Sequence, residues 1–348
     1  MIQARLHLVE CALRQALHSA RSRATLRHSL ILCLHDADGH CGWGEAAPWP
    51  GFDDTPLTQI GADLQALLDA LPEPEAIEAW QQIAAGLRSP AARAALLDAW
   101  ADLSARRAGQ PLAHWLIAAL ALPGPALSQV ASSALIEALD PELAVSQALR
   151  AQFAGHRALK FKLGVRSLAE DCARLAAVRA AVGPRLALRG DANGAWDEAQ
   201  ARLALEMLAP LDLEFVEQPV AKLDALLRLS RVAALPVAID ESLGEADALA
   251  RVIAAGSIKV LVLKPAQLGG AIHTLALSAQ ARAAGLRCVY SHSFGSMVGW
   301  RHLWHAAAAA GDAEAVHGLD AQLRADFSPV ALAGRFELPA QPGIGAIA

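Results

Sequence analysis

The 348-residue chain holds one tyrosine, three methionines and only 5% aromatic residues, and its charges are nearly balanced at a net −5. Mixed signs without basic clusters exclude a nucleic-acid footprint and a polybasic membrane surface. No charge-free apolar run reaches membrane-spanning length, and Ala306 to Ala310 is helix filler. The opening "MIQARLHLVECALRQ" has no basic segment followed by a continuous apolar one, so no signal peptide is expected. Cys11, Cys33, Cys41, Cys172 and Cys288 show no CxxC spacing and are odd in number. Free, packed thiols in a reducing cytosol are therefore expected, with neither nucleic acid nor membrane as a partner.

What the chain does have is 54% hydrophobic residues, rich in Ala and Leu, enough for a large core and one or two domains. Residues 1 to about 55 alternate in short apolar and polar runs, with a hairpin expected around Asp36-Ala-Asp-Gly-His. Residues 56 to about 120 read as helices, which makes the N-terminal third α+β. From about residue 130, short apolar runs alternate with amphipathic stretches six times, beginning with "RALKFKL" and "SLAEDCARLAAVRAAVGP". Ser167 and Glu170 form a capping box there, Gly183-Pro184 end the helix, and Asp197 caps the next one. Repeated βα units imply a parallel sheet whose strands are buried on both faces.

Charges choose between an open and a closed sheet. Lys162, Asp191, Glu217, Asp240 and Lys264 each end a predicted strand, at separations of 29, 26, 23 and 24 residues. In a (β/α)8 barrel these ends meet at one mouth, where active sites are built. No GxGxxG or GxxxxGK[ST] loop supports the open, doubly wound alternative.

Three carboxylates converging at one mouth repel each other unless a cation joins them. An oxygen-only set without His or Cys selects a hard ion such as Mg²⁺, with Mn²⁺ as a substitute. Lys160 and Lys162 in "LKFKL" share one face at strand period two. Crowding by each other and by a divalent cation is expected to lower their pKa toward that of a general base. Lys264, in "LVLKPAQLGG", arrives from the opposite side of the mouth. Lysines flanking a metal-bound carboxylate suit removal of the proton α to that carboxylate. Racemisation, β-elimination and cycloisomerisation all begin with this step. A barrel that binds metal without turnover would have no need of a base. His302 and His305 share a helical face, but no third ligand lies near them in the sequence.

"LKFK", "RGDANGAW", "FVEQP", "AIDES" and "VLKPAQLGG", in this order and spacing, resemble the muconate-lactonising branch of the enolase superfamily. "GWGEAAPWPGF" and the closing "PGIG" extend the resemblance over nearly the whole chain. It implies a modified TIM barrel over 126–324 with an α+β N-terminal capping domain over 1–125. A C-terminal segment, 325–348, would complete the cap, and loops near 17–24 and 46–56 would cover the mouth. Asp191, Glu217 and Asp240 are the implied metal ligands, and Lys162, Lys264 and Lys160 the implied catalytic residues.

Within the branch, the chain is most similar to o-succinylbenzoate synthases, lyases of menaquinone biosynthesis that eliminate water from a succinyl-hydroxy-cyclohexadiene-carboxylate. Arg189 stands two residues before the metal Asp, as in those synthases, "SALI" spans 133 to 136, and no acid follows Lys264 in the KxD manner of dipeptide epimerases. By this resemblance Lys162 takes the α-proton and Lys264 stabilises the developing charge. Arg189, Asn193, Ser291, Ser293 and Ser296 are the implied substrate contacts. Gly295 departs from the pattern, since such synthases carry a Glu-Ser segment there. N-acylamino-acid racemase, dipeptide epimerase and muconate-type cycloisomerase are the alternatives with the same machinery. The implied partners are a small-molecule carboxylate and further copies of the chain in a homo-oligomer.

Overall fold

A computed structural model describes residues 2–18, 23–69, 71, 76–320 and 334–346. Three antiparallel strands open it: β1 (Gln3–His18), β2 (Arg23–His35) and β3 (Cys41–Ala46), paired in that order. The turn between β2 and β3 falls where Asp36-Ala-Asp-Gly-His predicts it. There Asp36 Oδ1 accepts from the amides of Asp38 (3.0 Å) and His40 (2.8 Å) and holds the chain reversal. Helices α1 (Leu57–Leu68), α2 (Ile77–Ala85), α3 (Pro90–Arg107) and α4 (Leu112–Ala119) follow.

Helix α3 has Ser89 as a hydrogen-bonding cap and Pro90 in its first turn, and it is buried nearly all round. Its alanines let β3 lie against it, and β3 answers with glycines at every second residue. A Cβ on Gly42 would stand 2.2 Å from the Ala99 carbonyl, and one on Gly44 2.0 Å from that of Ala95. The intervening Trp43 and Glu45 point to the other face, as strand alternation requires. Trp100 of α3 is stacked with Trp80 and meets Trp115 edge-on, with centroids 5.6 and 5.4 Å apart.

The barrel begins with β4 (Gln129–Ser132) and β5 (Ala134–Ile136), then α5 (Pro141–Phe153). Six βα units succeed one another: β6 (Ala158–Lys162) and α6 (Leu168–Val182), β7 (Ala187–Asp191) and α7 (Glu198–Leu208), β8 (Phe215–Glu217) and α8 (Leu223–Ser230). The series continues with β9 (Val237–Ile239) and α9 (Ala248–Ala255), β10 (Val260–Leu263) and α10 (Ala271–Ala283), β11 (Arg287–Tyr290) and α11 (Met297–Ala309). The predicted caps form: Ser167 with Glu170 starts α6, and Asp197 with Gln200 starts α7.

Strands β5 to β11 make a seven-stranded parallel sheet in sequence order. A short strand, β12 (Val316–His317), pairs parallel with β4, and Gly318 just beyond it bridges to Ser291 just beyond β11. The ring thus passes through β12, giving the (β/α) barrel with an N-terminal cap that the strand-end charges and the resemblance predict.

Strand β13 (Arg335–Glu337) pairs antiparallel with β4. The chain beyond it lies on the cap helices: Leu112 N donates to Gly343 O (2.8 Å) and Ile344 N to Asp102 Oδ1 (2.7 Å). The expected barrel end at 324 and the core of the loop near 17–24 fall outside the described residues. Among the described residues no helix is long and apolar enough to cross a membrane.

The cysteine expectation needs correcting. Cys33 and Cys41 form a disulfide, while Cys172 and Cys288 are free thiols. The β2–β3 register sets His35 opposite Cys41, so Cys33 lies diagonally across the ladder with its Cα 6.4 Å from that of Cys41. Sequence spacing does not reveal a cross-strand neighbour.

Replacing Gly44 with alanine forces β3 away from α3. The substitution is expected to cost about 1–3 kcal/mol, the range of an overpacked core. A chemical-denaturation midpoint equal to wild type would contradict the close approach.

Candidate active site

Strand register builds the site. Lys162 pairs with Asp191 across β6 and β7, and Asp191 pairs with Glu217 across β7 and β8. Asp240 and Lys264 directly follow β9 and β10, so all five predicted strand-end charges reach one mouth. Asp191 Oδ2 accepts from Lys160 Nζ (2.8 Å) and Lys162 Nζ (2.7 Å). Lys160 also donates to Glu217 Oε2 (2.7 Å). Lys264 Nζ pairs with Asp240 Oδ2 and stands 3.9 Å from Glu217 Oε1.

The "DANG" turn after β7 has its own purpose. Asn193 adopts a left-handed backbone (φ 46°), which Asn tolerates better than most residues. Its side chain thereby turns back into the mouth, where Oδ1 accepts from Lys162 (2.8 Å) and Nδ2 donates to Glu241 Oε1 (3.0 Å). Gln218, a residue that sequence reasoning missed, splints the next two strand ends. Its Oε1 accepts from the amide of Asp240 (2.9 Å), and its Nε2 donates to Val220 O (2.8 Å) and to Ser242.

The three acids are 0–2% exposed. Burial pushes the Asp191 carboxyl upward, but the charges of Lys160, Lys162 and Lys264 outweigh it and hold the group below the carboxylate range. For Asp240, burial prevails over Lys264, and Glu241 and Glu217 push in the same direction, so its carboxyl is raised well above the usual value. The expectation of a lowered pKa, made for the two lysines of β6, is corrected for Lys160, and Lys264 behaves in the same way. Burial pulls Lys160 and Lys264 downward, but the surrounding carboxylates, Asp191 first for Lys160 and Asp240 first for Lys264, hold both ammoniums above their ordinary value.

The donor set fits a hard cation. Among the described residues, Glu217 Oε1 and Asp240 Oδ1 are buried and find no hydrogen-bond donor, although an acceptor in such a place normally has a partner. The ligands on offer at these strand ends are carboxylate oxygens, the set that suits Mg²⁺.

Above the charges lies a cavity enclosing about 650 Å³, a figure that includes the open solvent at its rim. Lys160, Lys162, Lys264, Asp191, Asn193, Ser291 and Ser293 line it. Glu217 and Asp240 sit beneath, joined to the lining through Lys160 and Lys264.

Two expected substrate contacts lie elsewhere. Arg189 sits one strand period deeper, where it donates to Glu214 Oε2 (2.6 Å) and Val316 O (2.6 Å) and covers the Phe215 ring. Ser296 caps α11 and accepts from Val298 N (3.1 Å). Trp49 and Phe52 from the cap, Ser133 and Leu135 from the start of β5, and Phe294, Gly318 and Asp320 complete the lining. Of these, Trp49 and Phe52 lie in the loop near 46–56 that is expected to cover the mouth, whereas Phe294 and Asp320 carry no local signal. His292 also lines the cavity; burial, then the lysine charges, pull its imidazole down to about 3, so it is neutral.

Comparison with known proteins agrees with the fold. Residues 144–347 match the family model described as enolase C-terminal domain-like, and residues 1–117 match the mandelate racemase/muconate lactonizing enzyme N-terminal domain. A hydrophobic dipeptide epimerase of Roseobacter litoralis is 35% identical over 72% of this chain and 71% of its own length. An o-succinylbenzoate synthase of Thermosynechococcus vestitus is 32% identical over 75% of both chains. The synthase of Thermobifida fusca is 38% identical over 52% of this chain, a match spanning 56% of that relative. Among solved structures, muconate lactonizing enzyme from Pseudomonas fluorescens superposes with a TM-score of 0.88 at 22% identity, covering 99% of this chain and 95% of that one, a likeness of fold. A dipeptide epimerase from Enterococcus faecalis, complexed with Mg and L-Leu-L-Tyr, superposes with 0.86 at 25% identity, covering 99% and 98%.

Glu137, the residue after β5, carries another raised carboxyl. Burial, then the charge of Asp320, pushes half-buried Glu137 up to about 7, against about 4.3 in an unfolded chain. The folded protein holds this proton more tightly, so stability falls as pH rises through that window and is fully present only below it. Glu137→Gln removes the dependence. Its advantage over wild type is expected to grow by about 1–2 kcal/mol from about pH 4 to about pH 8, after allowance for solvent screening. Urea unfolding at the two pH values measures this, and a constant difference would refute it.

Proposed function

Because this chain belongs to the enolase superfamily, with cap and barrel models both matched, we propose that it is a Mg²⁺-dependent lyase of the o-succinylbenzoate synthase kind. The substrate is a succinyl-hydroxy-cyclohexadiene-carboxylate, from which the α-proton and a hydroxyl leave as water. The observation that carries this reading is the placement of Lys162 and Lys264. They line one cavity from the ends of β6 and β10, four strands apart, with Asp191, Glu217 and Asp240 from the strands between.

Asp191, Glu217 and Asp240 would hold the ion, which when bound supplies positive charge toward the substrate carboxylate and makes the α-carbon acidic. Lys162 takes the proton, and Asn193 Oδ1, 2.8 Å away, fixes the direction of its Nζ. Lys264 remains an ammonium beside Asp240 and stabilises the charge that develops as the C–H bond breaks. The electron pair forms the new double bond, hydroxide departs as water, and the ring becomes aromatic. Lys160, tied to both Asp191 and Glu217, holds the acid layer together. The aromatic and serine lining, from Trp49, Phe52, Ser133, Ser291 and Ser293, suits an apolar ring with a polar chain.

A second reading is epimerisation of a dipeptide. Asp320 places a carboxylate on the cavity wall, where a substrate ammonium would find a partner, and the Roseobacter relative bears that name. Against it, Ala266 stands where the KxD pattern needs an acid.

Purified protein with Mg²⁺ is expected to consume the diene, followed by ultraviolet absorbance, and EDTA to stop it. Lys162→Ala and Lys264→Ala should each lose at least about 100-fold in kcat while still binding Mg²⁺ in calorimetry. Asp240→Asn should lose the calorimetric signal. No diene turnover by Mg²⁺-bound protein, with α-proton exchange into dipeptides in deuterated water, would replace the first reading by the second.

A further inference from the structure

Among the described residues, two polar side chains outside the acid–lysine layer, Glu45 and Gln267, join the cap to the barrel near loop 291–296. The first is Glu45 on β3, 2% exposed, whose strand phase turns it away from α3 and toward the barrel. Its two oxygens accept from the amide of Ser296 (2.7 and 2.9 Å), and Oε2 accepts from that of Gly299 (3.1 Å). These are amides at the start of α11, which a helix leaves without partners and where a negative charge is favoured. The space is filled by that carboxylate: a Cβ on Gly295 would stand 2.6 Å from Oε2, and one on Gly299 2.3 Å. Gly295, where the sequence leaves the synthase pattern, and Gly299 together make the room that Glu45 occupies.

The second is Gln267, also 2% exposed and three residues beyond Lys264. Its Nε2 donates both to Ala47 O in the cap (2.7 Å) and to Ser293 Oγ in the barrel (3.1 Å). From Ala47 the chain runs straight to the cavity lining. Arg27 donates to Pro48 O (3.0 Å) and covers the Trp49 ring, Trp49 packs on Phe294, and Phe52 lies over Lys264 Nζ with its centroid 4.6 Å away. Phe294 itself holds a left-handed backbone (φ 55°), which costs a bulky residue strain and persists only where surrounding contacts impose it.

We propose that Glu45 and Gln267 are positioning residues that fasten cap segment 46–52 to barrel loop 291–296, and so seat the apolar part of the substrate against Lys264. The inference deepens the proposed function and rests on it for where the reacting carbon lies. Neither side chain touches the reacting atoms; each acts through Trp49, Phe52, Ser293 and Phe294.

The test uses Glu45→Gln and Gln267→Leu in the full chain with Mg²⁺, with two readouts. Hydrogen–deuterium exchange is expected to rise at least about tenfold in 46–52 and 291–299 and to stay unchanged in 158–191. In the diene assay, KM should rise about tenfold or more while kcat changes by less than about threefold, the signature of lost substrate seating. If Glu45→Gln does not fold, Gln267→Leu, which leaves the α11 amides satisfied, carries the test. Exchange that rises evenly over the whole cap, or stays at wild-type levels in both segments, overturns the proposal, as does a fall in kcat at constant KM. If wild type fails to turn over the diene, the exchange pattern still decides the fastening, so failure of the proposed reaction and failure of this inference remain separate.

Discussion

The structure depends on a layer of buried charge that no single strand can neutralise. Asp191 is fully buried and accepts from two ammoniums, both supplied by the neighbouring strand. Removing one partner from a buried pair typically costs about 3–5 kcal/mol, because the other is left uncompensated. Lys160 spans Asp191 and Glu217, and Lys264 spans Asp240 and Glu217, so the layer closes over five consecutive strands. It is formed only when β6 to β10 lie in their native register, because a slip of one residue would turn a lysine or an acid into the apolar surround. The same layer is the catalytic apparatus of the proposed reaction, so fold specificity and chemistry use the same atoms.

The cap joins the barrel by a different economy, in which small residues bring backbones close and polar side chains fill what remains. Gly42 and Gly44 let β3 lie on α3, and Asp98 of α3 accepts from Ala271 N at the start of α10 (2.8 Å). His302 and His305 belong to this seam. His302 Nε2 meets Trp43 O (2.7 Å), and His305 Nδ1 accepts from Ala113 N (3.2 Å), so their helical spacing serves the cap–barrel contact. Burial, then His302 and Arg301, pull His305 down to about 3 and keep it neutral there. A seam made of directional bonds holds the cap at one height above the strand ends, and that height decides where Trp49 and Phe52 sit.

Much of the site was legible because strand ends are legible. An apolar run that stops at a charge, repeated at the period of a βα unit, identifies which residues share a mouth, and the geometry agrees for Lys162, Asp191, Glu217, Asp240 and Lys264. Arg189 shows where that logic loses depth. It shares a face with Asp191, yet one strand period is enough to bury it under the layer in a pair with Glu214. Ser296 likewise shares a serine-rich stretch with Ser291 and Ser293, but it sits at a helix start, where its hydroxyl is used for capping. Cys33 and Cys41 carry no pairing signal in the sequence because their meeting is a property of the ladder. Gln218, Asp320 and Phe294 belong to the same class: what they do depends on which elements pass beside them.

Periodicity, capping residues and the spacing of strand-end charges determined, from sequence alone, a succession of βα units, a barrel and the acid–lysine set at its mouth. These are set by local rules, since each strand carries its own alternation and each helix its own start and stop. The tertiary structure decided which charges pair, which donors and acceptors stay open to a cation, and how the cap meets the rim. Those outcomes rest on contacts between residues far apart in the chain, such as Glu45 with Ser296 and Gln267 with Ala47, whose distances are fixed only when the barrel has closed and the cap has docked.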